Sequence, residues 1–354
     1  MGRLALPDGT PPGIRHPWVD APAPGNATEI APGVLWMRLP LPMKLDHVNV
    51  YALDDGDAWT LIDTGFDSGK GRAIWQMLLD GPLGGKPVRR VIATHHHPDH
   101  LGLAGWFMER GAEFWTTRTA WLTARMLVLD FQPAPVPEAI AFWRAAGMPA
   151  DLLAARATER PFNFADMVHP FPPGFTRLTE GQIVDIGGRR WLVAMGNGHA
   201  PEHATFWSLD DDLVIGGDQL LPGISPNLGV YPTEPGADPV GEWLESCARF
   251  ADMAEDRHLV LPGHKLPFTG LPLRLSQMNE NHLSALGRME ELLKQAPQTA
   301  VGCFPALFRR PIGPGEFGLA LVEAVAHLNY LSIRGRIVPA GVDPDGGHLW
   351  RSAG

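Results

Sequence analysis

The sequence predicts an α+β fold, and three observations carry that expectation. Short apolar, β-branched runs recur in two groups, residues 33–63 with 88–116 and residues 182–215 with 258–261. Segments with helical spacing fall between and after them. The loops that follow several of these runs carry histidine or aspartate beside glycine or proline, at the strand ends where open sheets place their ligands.

Taken in order, residues 1–28 are rich in proline and glycine and read as an extended arm. Residues 33–39 alternate as a strand and 47–53 follow as a second. Asp54-Asp55-Gly56-Asp57 is a tight-turn signal, after which 58–63 returns as a third strand. Ser68 caps a helix that runs to residue 79. Residues 88–93 are the next strand, 101–111 a helix closed by glycine, and 113–116 another short strand. Over 118–168 three helical segments interrupt the strand rhythm and read as an insertion of the kind that walls a substrate. Its Trp121, Phe131, Phe142 and Trp143 are expected to pack rather than to meet a ligand.

Strands resume over 182–186, 190–194, 205–209 and 213–215. A helix at 238–254, a strand at 258–261 and a long helix at 271–295 follow. Two short helices (301–308 and 316–332) and strands either side of Pro344-Asp345-Gly346 then read as a winged-helix-like appendage. The domain plan is an arm at 1–28, a main domain at 29–297 that contains the 118–168 insertion, and the appendage at 298–354.

Thr94-His95-His96-His97-Pro98-Asp99-His100 lies just past the strand at 88–93. His95, His97, Asp99 and His100 can each bind a transition metal, and Pro98 turns the loop so that their side chains splay around one point. A mid-chain position and an acid at a set place separate this run from a tag or a low-complexity tract. His96 would point away from its neighbours on an extended backbone and is not expected to touch metal. His199, in Gly198-His199-Ala200-Pro201-Glu202-His203, again follows a strand, and His203 is either a supporting partner or a strand residue. Asp218 follows a buried strand and a glycine pair, whereas the acid run at 210–212 is a solvated turn. His264 closes Pro262-Gly263-His264. Asp63 is either a solvated strand end or, on the sharper reading, a buried carboxylate that hydrogen-bonds the histidine loop. His47 and His282 are candidates for the pocket edge, with a structural role weighing more for each.

The chain is 45% hydrophobic and 19% charged, which is globular, and its net charge of −10 argues against a protein built to hold a nucleic-acid backbone. Cys247 and Cys303 give neither a disulfide framework nor a CxxC metal site, as expected of reduced thiols in the cytoplasm. The first residues lack the apolar core of a secretory signal, and no apolar run is long enough to cross a bilayer. A cytoplasmic protein without a membrane partner is expected.

HHHPDH, GHAPEH, GGDQ and PGH, in that order and with Asp63-Thr64-Gly65 and the Val48-Asn49-Val50-Tyr51 strand, resemble the metallo-β-lactamase-fold, glyoxalase II-like hydrolases over residues 33–295. The resemblance implies a four-layer αββα sandwich. It also implies two divalent transition metals, one on His95, His97 and His199, the other on Asp99, His100 and His264, with Asp218 and a water or hydroxide bridging them. Imidazole and carboxylate donors suit zinc first, with iron or manganese as alternatives. Asp99 would orient the attacking water and pass its proton to the leaving group, while Asp63 and His203 would support the ligands from behind. The C-terminal segment resembles the winged-helix segment behind this fold in a branch that includes an RNA endonuclease.

Aspartate at 218 departs from the lactamase branch, which carries a metal-binding cysteine there, and agrees with the glyoxalase II, lactonase and nuclease branches. β-Lactam hydrolysis is therefore not the expected main activity. Hydrolysis of a small thioester or ester, of acyl-CoA, acyl-glutathione or lactone type, comes first. RNA or phosphodiester cleavage is second, motivated by the C-terminal segment with its Arg309, Arg310, Arg334 and Arg336. A non-hydrolytic metal-site protein comes third, since nothing in the sequence supplies a flavin or electron-transfer segment. A small-molecule substrate is the expected partner; nucleic acid is disfavoured, and a homodimer is compatible with the sequence.

Overall fold

The structure, a computed structural model, describes residues 13–354. The chain divides into two compact units, the first comprising residues up to 131, 163–226 and 250–275, the second 132–162, 227–249 and 276–354.

The first unit holds two sheets. Thr28–Ala31 (β1), Val34–Pro40 (β2), His47–Asp54 (β3), Trp59–Ile62 (β4), Val88–Ile92 (β5), Glu113–Thr117 (β6) and Thr176–Leu178 (β7) lie side by side in that order, antiparallel up to β4 and parallel from there. Ile183–Ile186 (β8), Arg189–Gly196 (β9), His203–Ser208 (β10), Leu213–Gly217 (β11) and Leu259–Pro262 (β12) form the second, with only the β11–β12 pair parallel. Side chains alternate along a strand, so each sheet has two faces to cover. From β2 and β3, Trp36, Tyr51 and Leu53 pack with Trp191, Val193 and Phe206 of the other sheet. Met37, Leu39, Val48 and Val50 turn the other way, onto Trp75, Leu78, Phe107 and Ala124. Those residues come from the helices Gly69–Asp80 (α1), Ala104–Met108 (α3) and Arg118–Leu129 (α4); a short Pro98–Leu101 helix (α2) precedes α3. On the second sheet Trp207 stacks on Phe250, near the end of the helix Pro239–Met253 (α7). The result is the expected α+β sandwich.

In the second unit lie Pro137–Ala145 (α5), Ala150–Arg156 (α6), most of α7 and of Leu271–Gln295 (α8), Phe304–Phe308 (α9) and Phe317–Ile333 (α10). Ile337–Val342 (β13) and His348–Ser352 (β14) close the chain as an antiparallel hairpin. The end of α5 is tied to the C-terminal segment by the Val301 N–H, which donates to the Ala146 carbonyl at 3.0 Å. The helical stretch expected at 118–168 is thus shared: α4 belongs to the first unit, α5 and α6 to the second.

Three local expectations need correction. The helix expected over 101–111 starts earlier, at Pro98, and is broken into α2 and α3 at Leu103, which leaves helical angles (φ −102°, ψ 11°); Gly102 beside it has no room for a side chain, which would meet the carbonyl oxygens of Pro98, Gly65 and Met167. β1 and β7 were not expected; they are four and three residues long and lie at the sheet's edges, too short to show an alternating pattern. The arm at 1–28 gives way to β1 at Thr28, and within its described part Arg15 already pairs with Thr269. Residues 1–12 of that arm lie outside the described residues.

Candidate metal centre

β4, β5, β9, β11 and β12 all deliver their carboxyl ends to one place. Asp63 follows β4, the 95–100 loop follows β5, His199 follows β9, Asp218 follows β11, and His264 follows β12. The two sheets are joined there by the Ala204 N–H, which donates to the Thr94 carbonyl at 2.8 Å. Asn49 ties down the β12 end: its amide donates to the carbonyls of Pro262 and Lys265, and the Tyr51 hydroxyl donates to Pro262 as well, at 2.8 Å. At Gly263 the backbone passes so close to Asp218 Oδ1 that a β-carbon would collide with it.

Every expected ligand is brought together. The donor atoms of His95, His97 and His199 lie within 4.8 Å of one another, as do those of His95, His100 and Asp218 and those of Asp99, His100 and His264. Asp218 Oδ1 is 3.4 Å from His100 Nε2, and Asp218 Oδ2 is 3.5 Å from His199 Nε2 and 3.2 Å from His264 Nε2. Asp99 Oδ2 is 3.4 Å from His264 Nε2 and 3.5 Å from His100 Nε2. Charge-assisted hydrogen bonds are shorter, about 2.7–2.9 Å. Two donors held about 2.0–2.2 Å from one tetrahedral ion would be about 3.3–3.6 Å apart, close to these separations of 3.2–3.5 Å. His100 Nε2 and Asp218 Oδ1 are buried and find no hydrogen-bond partner within the described residues. The residues present therefore fit divalent transition metals.

The rings are aimed from behind. Asp63 adopts φ +61°, a left-handed conformation that aspartate tolerates better than most residues. Its Oδ1 accepts from the Thr94 N–H (2.8 Å), and its Oδ2 accepts from the Thr94 hydroxyl (2.9 Å) and from His100 Nδ1 (2.7 Å). That hydroxyl lies 3.0 Å from His95 Nδ1 and, with its own proton given to Asp63, accepts from it. His264 Nδ1 donates to the His47 carbonyl at 2.7 Å. Each of these three histidines thus has its Nε2 left to face the centre. His203 Nε2 accepts the Asp218 N–H at 3.1 Å, and its ring stacks on His95 with centroids 4.5 Å apart. So Asp63 contacts His100 and Thr94, and His203 contacts His95 and Asp218.

Without metal the cluster carries protons unevenly. Burial, helped by His100, keeps His95 neutral well below its ordinary range, and burial with His199 does the same to His97. Burial also works against charge on His264, but Asp218 and Asp99 outweigh it and raise that imidazole to about 10. His100 is raised in the same way, against its burial, by Asp218, Asp99 and Asp63. Asp218 is held well below the carboxylate range, despite burial, by His264 and His100. Two imidazolium-favouring rings around two carboxylates are the charge pattern that two cations would replace.

His96 is turned away: its ring stacks on Phe164 at 6.4 Å, and burial lowers it to about 3. His47 touches the centre through its backbone carbonyl. His282 is not at this site; it pairs with His327 in the second unit. Asn49, Tyr51 and Thr94 were missed as supports, although a buried asparagine inside an apolar strand was a readable signal. Glu202 was missed too. Its carboxylate accepts the Thr119 N–H at 2.8 Å, which links the His199 loop to the first turn of α4. Of the insertion's aromatics, Trp121 packs on Phe175 as expected, whereas Phe131 is 53% exposed.

The profile of the Metallo-beta-lactamase superfamily matches residues 43–264, and that of the Metallo-beta-lactamase-like, C-terminal domain matches 286–351. The chain is similar to a Beta-lactamase domain protein from Burkholderia ambifaria, with 36% identity, 96% and 98% of the two chains covered and a TM-score of 0.87. It is similar to a metallo-beta-lactamase family protein from Thermus thermophilus at 27% identity, 91% and 99% coverage and a TM-score of 0.75. Among curated proteins, "Probable metallo-hydrolase YqjP" of Bacillus subtilis (strain 168) is 26% identical over 311 residues, 84% of this chain and 92% of that one.

Proposed function

The chain belongs to the metallo-beta-lactamase superfamily, and from that membership and its likeness to a probable metallo-hydrolase we propose that it is a dinuclear hydrolase of small thioesters or esters. The observation that carries the dinuclear reading is the placement of Asp218, whose two oxygens face His100 on one side and His199 and His264 on the other. His95, His97 and His199 would hold one divalent cation, Asp99, His100 and His264 the other, and Asp218 both. Zinc suits this set first, and iron or manganese would also fit. When bound, such a pair lowers the pKa of a shared water and stabilises a developing oxyanion.

The chain's own contribution is aim and proton handling. Asp63, Thr94 and the His47 carbonyl fix the imidazole tautomers. The half-buried Asp99 carboxylate can take the proton of the attacking water and pass it to the leaving atom. A thiol leaves with a pKa of about 8.5 and needs little help; an alkoxide needs that proton. An Asp99→Asn variant should therefore lose more activity on esters than on thioesters of the same acyl group.

The phosphodiester reading has less support. Arg334 pairs with Asp238, Arg310 with Glu316, and Arg336 with Glu290, so three of the four arginines that motivated it already have acidic partners. One experiment tests the proposal: metal analysis, then turnover of a panel of thioesters, lactones, phosphodiesters and β-lactams. About two metals per chain with thioester or ester turnover that is nearly indifferent to salt supports it. Phosphodiester turnover with binding that falls steeply in salt overturns it.

A further inference from the structure

The second unit buries another group of metal-capable side chains. Glu323 and His327 stand one turn apart on α10 and share one face of it. His282, on α8, meets them: its Nδ1 is 3.2 Å from His327 Nε2, and the donor atoms of all three residues lie within 4.8 Å of one another. Both histidines are fully buried, and Glu323 is half-buried.

The surroundings set the donors. His327 Nδ1 donates to the Glu323 backbone carbonyl at 2.8 Å, which fixes the tautomer and leaves Nε2 with its lone pair toward His282. Asn227 donates to Glu323 Oε2 at 2.9 Å and orients the carboxylate. Trp243 closes the other side of His282, with ring centroids 6.3 Å apart. His282 Nε2 is buried and finds no hydrogen-bond partner among the described residues. In the metal-free chain His282 Nδ1–H donates to the His327 Nε2 lone pair, and a cation held between the two nitrogens would displace this proton and leave both as donors. Two nitrogens that share a tetrahedral zinc at about 2.0–2.1 Å are about 3.3–3.4 Å apart, close to the separation here.

We propose that His282, Glu323 and His327 form a further divalent-metal site, for zinc or a similar cation, that clamps α8 to α10. Two neutral imidazoles and a carboxylate are a donor set that zinc accepts. A water would complete the fourth position. This site is independent of the hydrolase centre, whose ligands all belong to the first unit.

The test uses the full chain, loaded with zinc and passed through a desalting column. His327→Gln should bind one zinc fewer than the parent and keep hydrolase activity. Adding His327→Gln to an Asp218→Ala chain should remove one more zinc, so the result is readable whatever becomes of the hydrolase centre. Glu323→Gln keeps the residue's shape and its Asn227 contact, and it carries the same comparison if His327→Gln does not fold. Equal zinc in the parent and in either folded variant overturns the proposal, as does a parent that holds no zinc beyond what the hydrolase centre loses in Asp218→Ala.

Discussion

The two buried histidine clusters are built by opposite means. In the first unit the donors ride on loops at four strand ends, with Asp63 supporting them from a fifth, and each loop is free to bend until its side chain meets the others. Glycine makes the closest approach there, since the backbone at Gly263 runs against Asp218 itself. In the second unit the donors ride on two helices, where α-helical spacing fixes Glu323 and His327 one turn apart and only side-chain reach brings His282 to them. Loops can gather many donors, carboxylates among them, around one point; the helix pair gathers His282, Glu323 and His327. Chemistry that needs a shared water and a proton carrier fits the first arrangement, and a clamp fits the second.

The largest effect that would break this contrast is at Asp218. Under the proposed assignment Asp218→Ala removes the one residue that faces ligands of both metals. Metal content and activity should fall together, by more than the roughly 100-fold that loss of a supporting residue costs. A variant that keeps two metals and its activity ends the bridging assignment.

Protons give the next test. His264 is raised to about 10 by Asp218 and Asp99 against its burial, and His100 is raised as well, so both rings carry protons in the metal-free chain at neutral pH. A cation must displace them. Apparent metal affinity at this centre should rise as pH increases across the neutral range and level off above the His264 value. Calorimetry in buffers of different ionisation enthalpy should register proton release on zinc binding. Affinity that stays flat from mildly acidic to mildly alkaline pH would contradict this charge pattern.

Asp63 sharpens the contrast further, because the supports described in the helical cluster, the Glu323 backbone carbonyl and the Asn227 amide, are uncharged. Its carboxylate takes three hydrogen bonds while its backbone sits in the left-handed region. Asp63→Asn cannot accept from all three donors with the same charge, so His100 loses its aim. A drop of about 10–100-fold in metal affinity is expected, with the fold retained; affinity within twofold of the parent would reduce Asp63 to a strand end.

How far these features could be read in the sequence follows from the same difference. A loop cluster leaves its donors close together in the chain: His95, His97, Asp99 and His100 are one phrase, and His199, Asp218 and His264 each follow a strand signal. β3, β10 and β11 were legible because both faces are buried and the apolar runs are nearly continuous, and β2 because it alternates. The helical cluster was not legible. His282 and His327 are 45 residues apart on separate helices, and each looks like an ordinary core position. Asn49 and Tyr51 could be placed on a strand, but what they hold, the β12 end, depends on a pairing between distant segments. The division of the helical stretch between two units was hidden for the same reason, since the Ala146–Val301 link joins residues far apart in sequence.

The smallest expected effect on metal, and the finest cut, is at His203. It stacks on His95 and accepts the backbone N–H of Asp218 at its Nε2, yet it belongs to none of the metal-capable groups among the described residues. If it supports the fold of the centre and does not bind, His203→Ala should keep close to two metals. It should instead lose stability, because a buried N–H without an acceptor costs about 1–3 kcal/mol and the missing ring leaves a hole beside His95. Chemical denaturation of the metal-free chain reads that loss without interference from binding. His203→Gln places an amide oxygen where Nε2 was and should recover part of the stability, with metal content unchanged. If His203→Ala instead loses one metal and keeps its stability, His203 is itself a ligand, and the ligand set drawn around Asp218 must be redrawn to include it.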